Sequence, residues 1–523
     1  MTESGDSIET SAAATATTAT SVARGGIWNT AAAVVPQLYT LAISIVAARV
    51  LGPDDMGRQS FIGFVAVVTS IIVAAGFPIA VTRHVAEQLG AGRAETLPDL
   101  VRWAWKLAAG GALTAFVGLM LAVATGMEPT LAWLFAAVLS AGLVLGKVPS
   151  SFLIGVQRWR EVSTIGLISG FVSTLALVSV LLAGGGISGM LAVQATITLW
   201  TLGWTTLRAR RRLGELTPTS VPDPEVHRRT VRYALVASIG VPITIVIWFR
   251  FEFFFLDRFS ADSEIAIYSI AFAAVNALVL IPQMLGSTVA PAFATLFGAG
   301  QNKRIRTGYS RSLRVLLLLT LPLTAGALAV GPEFLAVVYG EEYREAGQLL
   351  VIMLLLLPLI PLYHVSASLL VGLGLQRVPL VAGAIGAVIT ILLDIVLISR
   401  YDAVGAALGN AGGQLVTTLP IIVYAVLRAG PVDWETGTLV RAGIAAAACG
   451  ACARLVVVEL GGADGVAAGF VVGVAVFALA ATVLRILPAQ DAAWLREVAG
   501  GRTGRLFSLA CRAWSTTPAR GRA

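Results

Sequence analysis

The feature that most constrains this chain is the recurrence, from Ile27 to Leu487, of apolar runs separated by short arginine-bearing loops. A run of about twenty residues, rising ~1.5 Å per residue as a helix, crosses the ~30 Å hydrocarbon core of a bilayer. Lipid offers backbone amides no partner, so each run must satisfy its own hydrogen bonds as a helix. Composition agrees: 57% of residues are hydrophobic, 13% are charged and the mean hydropathy is +0.84, whereas a soluble domain carries about a quarter charged residues. The expected fold class is all-α and polytopic. Hydropathy places about fourteen spans, near 27–49, 59–79, 104–125, 130–149, 163–183, 188–207, 233–256, 266–289, 311–331, 347–371, 379–399, 404–427, 439–458 and 466–486.

The basic residues orient these spans. With the N-terminus inside, 30 of the 37 Lys and Arg fall in the even-numbered gaps and the two tails, and 7 fall on the other side. Such a bias marks the cytoplasmic face, so the expected location is the cytoplasmic membrane with both termini cytoplasmic. The net charge of +8 follows from these orienting arginines, and no nucleic-acid partner is expected. The Ser/Thr/Ala-rich residues 1–23 lack the basic start of a signal peptide and read as a disordered cytoplasmic tail. Residues 488–523, with Trp494, Phe507 and Trp514 among arginines, read as a basic amphipathic cytoplasmic tail lying on the membrane surface.

The three cysteines, Cys449, Cys452 and Cys511, give no disulfide framework. The CxxC formed by the first two lies in the run AAAACGACAR and reads as small-residue helix packing, with no metal site expected. No phosphate loop of the form GxxxxGK[ST] occurs, which speaks against a primary pump.

A shift of 208 positions aligns LGPDDMGRQSFIGF at 51–64 with FSADSEIAIYSIAF at 259–272, and places Gly90-Ala91-Gly92 on Gly298-Ala299-Gly300. A third echo relates Leu153-Ile154-Gly155 to Leu370-Val371-Gly372. Six spans separate equivalent points, so the chain reads as two parallel six-helix repeats, a transporter architecture with the substrate between the halves. The expected organisation is a lobe over 24–207 (helices 1–6), a basic cytoplasmic linker over 208–232, a second lobe over 233–430 (helices 7–12) and two appended helices over 431–487.

Several segments also resemble the polysaccharide-biosynthesis, Wzx-type flippase branch of the multidrug/oligosaccharidyl-lipid/polysaccharide (MOP) exporter superfamily. They are Arg49-Val50-Leu51-Gly52-Pro53-Asp54-Asp55-Met56-Gly57, Gly76-Phe77-Pro78 through Arg83, Arg250-Phe251-Glu252 with Ser263 through Ser269, Gly331-Pro332-Glu333-Phe334 through Tyr343, and Val404-Gly405-Ala406-Ala407. Their order is consistent over roughly residues 24–430. The resemblance implies a V-shaped pair of lobes exposing a central cavity alternately to each side of the membrane. The implied cargo is a polyprenyl-phosphate- or undecaprenyl-diphosphate-linked oligosaccharide, and a glycan polymerase or glycosyltransferases are the implied partners.

Polar residues inside spans are the candidate site, because they are costly in lipid and mark pathways. Asn29, Gln37 and Ser44 share a face of helix one, Asn276, Gln283 and Ser287 one of helix eight, and helix twelve carries Asn410 and Gln414. They read as lining for glycan hydroxyls or, equally, as interhelical hydrogen bonds. Arg250 and Glu252 lie about 25 Å along a continuous helix seven, two positions apart and so on different faces. Asp394 on helix eleven sits at a similar depth and is expected near enough to pair with Arg250. Arg250 is the first candidate for a phosphate contact, because guanidinium binds phosphate bidentately. Glu252 and Asp394 are the candidates for coupling to protons or sodium ions. Arg49 and Arg83 are further head-group candidates beside a topology-anchoring reading, and His364 reads as a packing residue. Pro36, Pro242, Pro282, Pro358, Pro361 and Pro420 fall within spans and predict kinks. No cofactor is expected.

Two rival functions are an ion-coupled multidrug or cation exporter of the same superfamily and an integral-membrane glycan polymerase or ligase. Helix one carries no acid and two helices are appended, which favours the glycolipid cargo. Every outer loop is short, which disfavours the enzyme.

Overall fold

The computed structural model describes the backbone of residues 6–217, 219–287, 290–498 and 513–516, and side chains within 35–121, 123–217, 219–280, 283, 293–493 and 513–516. The order of helices is α1 (Asp6–Ala74), α2 (Phe77–Gly90), α3 (Leu97–Ala124), α4 (Thr130–Gly155), α5 (Trp159–Leu182), α6 (Gly186–Leu216), α7 (Pro224–Ser238), α8 (Gly240–Trp248), α9 (Phe253–Phe259), α10 (Asp262–Ser287), α11 (Ala290–Gly298), α12 (Asn302–Tyr339), α13 (Ala346–Leu354), α14 (Leu359–Gly372), α15 (Arg377–Ala429), α16 (Thr436–Leu460), α17 (Gly462–Leu484) and α18 (Ala489–Val498). Among the described residues, eleven helices are long and apolar enough to cross a membrane, or twelve when α13 and α14, bent by 42°, count as one span. Pro358 caps α14 at that bend. Fewer helices are found than the fourteen spans expected because α1 and α15 each run through two of them, with a single break at Gly52 (φ 76°) and at Asp402 (φ 48°) respectively.

The break in α15 reverses the chain. A methyl group added to Gly405 would meet the Leu397 carbonyl, one on Gly409 would meet Asp394, one on Gly413 would meet Thr390, and one on Gly386 would meet Thr417. Steps of four along the second half, at 405, 409, 413 and 417, are answered by steps of three or four back along the first, at 397, 394, 390 and 386, the signature of an antiparallel helical hairpin. The glycines let the two backbones approach closely, as small residues do in membrane interfaces.

The chain forms two compact units. The first holds residues up to Pro242 apart from Met56–Arg58, and the second holds Met56–Arg58 and everything from Ile243 onward. In the first, Val81, Val85, Leu100, Val148, Phe152 and Val226 build a core from α2, α3, α4 and α7. In the second, Tyr309, Leu313, Leu316, Val365, Leu369 and Ile421 knit α12, α14 and α15, and α16 and α17 pack on α12. Cys449 lies in the α16–α17 seam, 3.5 Å from where a Gly473 methyl would sit, as small-residue packing requires. The span 208–232, expected as a linker, is helical at both ends. Its second helix, α7, packs on α2, and the division falls ten residues further on than 232.

Matching turns support the internal repeat. At the end of α2, the amides of Ala91, Gly92 and Arg93 donate to Glu87, Leu89 and Gln88, with Gly92 at φ 71°. At the end of α11, the amides of Ala299, Gly300 and Gln301 donate to Thr295, Phe297 and Leu296, with Gly300 at φ 68°. These are the same left-handed helix stops, offset by 208 positions. The ends of α4 and α14 match in the same way, at Gln157 (φ 61°) and Gly374 (φ 75°).

Both tails depart from expectation. Residues 1–5 lie outside those described, but from Asp6 the backbone is helical, consistent with an Ala-rich stretch that has no glycine or proline before Gly25. In the C-terminal tail, α18 is docked: the carboxylate of Asp491, wholly buried, accepts from Arg311 at 2.8 Å and Arg314 at 3.0 Å on α12. The aromatic Phe507 falls outside the described residues.

Candidate functional site

The stretch expected as a continuous helix seven is broken. Helix α7 ends at Ser238, α8 at Trp248, and α9 starts only at Phe253. The interruption spans residues 249–252 and so contains both Arg250 and Glu252. Non-helical backbone at membrane depth is tolerated where protein or a polar cavity surrounds it, and both surround this one.

Glu252 is fully buried, as is Asp394 of α15, and Asn410 of α15 is 5% exposed. The amide nitrogen of Asn410 donates to Glu252 Oε1 at 2.6 Å, and Gln414 donates in turn to the Asn410 oxygen at 2.8 Å. The neighbouring residue, Gly409, is the surface on which Asp394 packs. Consecutive residues of one helix therefore bring the two carboxylates together. Glu252 Oε2 and both oxygens of Asp394 have no hydrogen-bond partner among the described residues. Two buried carboxylates without a cationic partner carry a large desolvation cost, which a bound proton or cation removes.

Arg250 does not supply that cation. No ion pair of Arg250 occurs among the described residues, and the expected pairing with Asp394 is not formed. The guanidinium instead lies over the rings of Phe272, at 5.2 Å, and Phe253, at 5.7 Å, within the range of a cation–π contact. The depth comparison with Asp394 assumed a continuous helix, and the break removes that basis.

Beside this cluster the second unit encloses a cavity of about 610 Å³, within the ~300–1,000 Å³ usual for small-molecule sites. Its wall carries the four amides expected from the sequence, Asn276, Gln283, Asn410 and Gln414. It also carries Thr244, Ser368 and an aromatic group made of Trp248, Tyr363 and His364. Trp248 lies 5.2 Å from Tyr363 and 5.8 Å from His364 between ring centroids. No Arg, Lys, Asp or Glu is among its lining residues. Asn276 is turned partly to its own helix, donating to the Phe272 carbonyl at 3.1 Å.

The aromatic wall and the Glu252–Asn410 bond were missed by the sequence reading. His364, expected as a packing residue, stands in the wall. The remaining candidates are not part of this cavity. Gln37 and Arg49 sit in α1 of the first unit, and Arg83 of α2 is exposed with its guanidinium 4.4 Å from the Tyr233 ring of α7, a contact that anchors α7. The side chain of Asn29 lies outside those described.

The sequence matches the profile of the family described as "Polysaccharide biosynthesis protein" over residues 22–297, and the MatE profile over 237–396. A relative from Haloferax volcanii named "Probable low-salt glycan biosynthesis flippase Agl15" is 24% identical over 220 residues, covering 41% of this chain and 46% of the relative. "Lipid II flippase MurJ" of Bacillus subtilis is 31% identical over 153 residues, 28% of each chain. The alignments thus span about half of the first relative and just over a quarter of the second. The solved structure "Lipid II flippase MurJ, inward closed conformation" superposes with a TM-score of 0.65 at 12% identity, covering 86% of this chain and 96% of that one, which establishes the shared fold. With a family match over more than half its length, the chain belongs to the polysaccharide biosynthesis protein family of the MOP superfamily.

Proposed function

We propose that this chain moves a polyprenyl-phosphate- or polyprenyl-diphosphate-linked oligosaccharide across the cytoplasmic membrane by alternating access, without covalent chemistry. The observation that carries the reading is the cavity wall, where a cluster of tilted aromatic rings stands beside four amides with no Arg, Lys, Asp or Glu among the lining residues. Sugar rings present apolar faces to aromatics and hydroxyls to amides, so the wall suits a glycan better than a drug cation. The buried Glu252–Asp394 pair is the candidate coupling site, taking a proton or a sodium ion. Arg250, over the Phe272 ring that also lines the cavity, is the candidate for the phosphate. The names of both relatives support a flippase reading. The arginine bias supports cytoplasmic termini, and a glycan polymerase or glycosyltransferases would supply or consume the cargo.

The MatE match over the segment holding the acid pair favours a second reading, an ion-coupled drug exporter. Deleting the gene separates the two. The glycolipid reading expects a lipid-linked glycan to accumulate on the cytoplasmic face, rescued by the wild-type gene and poorly by Asn410→Ala. Normal surface glycan together with lost drug efflux would favour the exporter and sink the proposal.

A further inference from the structure

A second pocket, of about 400 Å³, lies in the first unit where the end of α4, the start of α5 and the end of α6 converge. It is lined by Arg158, Arg160, Arg208 and Arg212, with Glu161, Gln157, Thr164 and Trp204 among its other residues. Nothing in the glycan reading uses it.

Its charges are unevenly committed. Arg212 is held by Glu161, to which its Nε donates at 2.8 Å, and by Glu215 at 2.7 Å. This fixes one wall and neutralises the pocket's one carboxylate. Arg158 and Arg208 are exposed and make no ion pair among the described residues. Arg158 is also the N-cap of α5, so the first turn of that helix, with Arg160 and Glu161, borders the same space. The site combines uncompensated guanidinium groups, a helix N-terminus and a formed cavity, the combination that phosphate groups bind.

Its depth narrows the ligand. Trp204 in the wall stands 5.4 Å from Trp200 on α6, and Trp159 at the start of α5 is exposed. Tryptophans of this kind mark the membrane–water boundary. The arginines lie where the apolar part of α6 gives way to the run Arg208–Arg212, which is where lipid head groups sit. Basic pockets between membrane helices at that level bind phosphate-bearing lipids.

We propose that this pocket is a binding site for the phosphate head group of an anionic membrane lipid, separate from the cavity of the second unit. The inference does not depend on the identity of the transported molecule.

The test uses the purified full-length protein in nanodiscs of phosphatidylcholine with or without phosphatidylglycerol, with retained lipid read by native mass spectrometry. Wild type is expected to retain phosphatidylglycerol. The double variant Arg158→Gln/Arg208→Gln is expected to lose affinity roughly thirtyfold, because each basic contact at an anionic surface is worth about 1 kcal/mol. Arg229→Gln, an exposed arginine of α7, controls for lost charge and is expected to behave as wild type. Should the double variant misfold, Thr164→Trp, which fills the pocket and keeps all four arginines, is expected to displace the lipid instead. Equal lipid retention by wild type and the folded pocket variants would overturn the proposal. So would retention of soluble pyrophosphate or inorganic phosphate with none of phosphatidylglycerol, which would make the site one for a free anion.

Discussion

Asn410→Ala tests the centre of the site. The bond from Asn410 to Glu252 is 2.6 Å long and lies between a fully buried carboxyl group and a side chain 5% exposed. The carboxylate accepts, so the Asn410 amide must present its nitrogen there, leaving its oxygen for Gln414. The other oxygen of Glu252 has no hydrogen-bond partner among the described residues, so truncating Asn410 takes the close amide donor from Oε1. A hydrogen bond to a charged group contributes about 1.5–3 kcal/mol, against ~0.5–1.5 kcal/mol for a neutral one. Asn410→Ala should therefore destabilise the wild type by about 1.5–3 kcal/mol and a Glu252→Gln background by about 1 kcal/mol or less. The coupling energy of that cycle should be about 1 kcal/mol. The assay is unfolding of the four full-length proteins in one detergent, with and without sodium ions. A bound proton or cation at the acid pair predicts a sodium- or pH-dependent shift in wild type that Glu252→Gln removes. Effects additive within ~0.5 kcal/mol would refute the idea that the two residues act as one unit.

Three further outcomes follow from packing and exposure. Gly409→Ala would drive a methyl group into Asp394 and should destabilise by about 1–3 kcal/mol, as overpacking does. Gly443→Ala, with nothing within 4 Å, should lower the melting temperature far less, and equal shifts would contradict the α15 hairpin. Binding of a soluble oligosaccharide should quench tryptophan fluorescence in wild type and not in Trp248→Phe; quenching that survives the substitution removes Trp248 from the glycan wall. Asp491→Asn leaves Arg311 and Arg314 without their buried carboxylate, at a cost of about 3–5 kcal/mol to local docking. The C-terminal segment should then be cut faster by limited proteolysis, and an unchanged rate would show that this ion cluster does not hold α18.

The membrane class and the repeat were legible because both are written in local chemistry. An apolar run of about twenty residues specifies a spanning helix whatever its neighbours are. The Gly-Ala-Gly pairs at 90–92 and 298–300 mark the left-handed stops that end α2 and α11, since glycine adopts that conformation at little cost. The amides were legible for the same reason: Asn276, Gln283, Asn410 and Gln414 are conspicuous in apolar sequence, and all four line one cavity. The aromatic wall was not, because Trp248 comes from α8 and Tyr363 and His364 from α14, more than a hundred residues on, and aromatics in membrane spans have many uses. The helix count differs from the span count because α1 and α15 each run through two expected spans with a single non-helical residue between them, Gly52 and Asp402.

The break at 249–252 shows why some of the site lies beyond sequence patterning. The segment Ile247-Trp248-Phe249-Arg250-Phe251-Glu252-Phe253 contains no proline or glycine, so local propensity argues for an unbroken helix. At the break, Glu252 is bonded to a side chain 158 residues away, Asn410. One trace of it was nevertheless present. Two opposite charges spaced by two positions cannot share a helical face, and each is costly in lipid without a partner. A continuous helix would have left at least one of them facing lipid. The backbone gives way there instead, turning Glu252 to Asn410 and Arg250 to the rings of Phe253 and Phe272. A conflict between charge spacing and helical period inside a span is thus itself a pointer to a discontinuous helix, and here it falls on the residues that build the site.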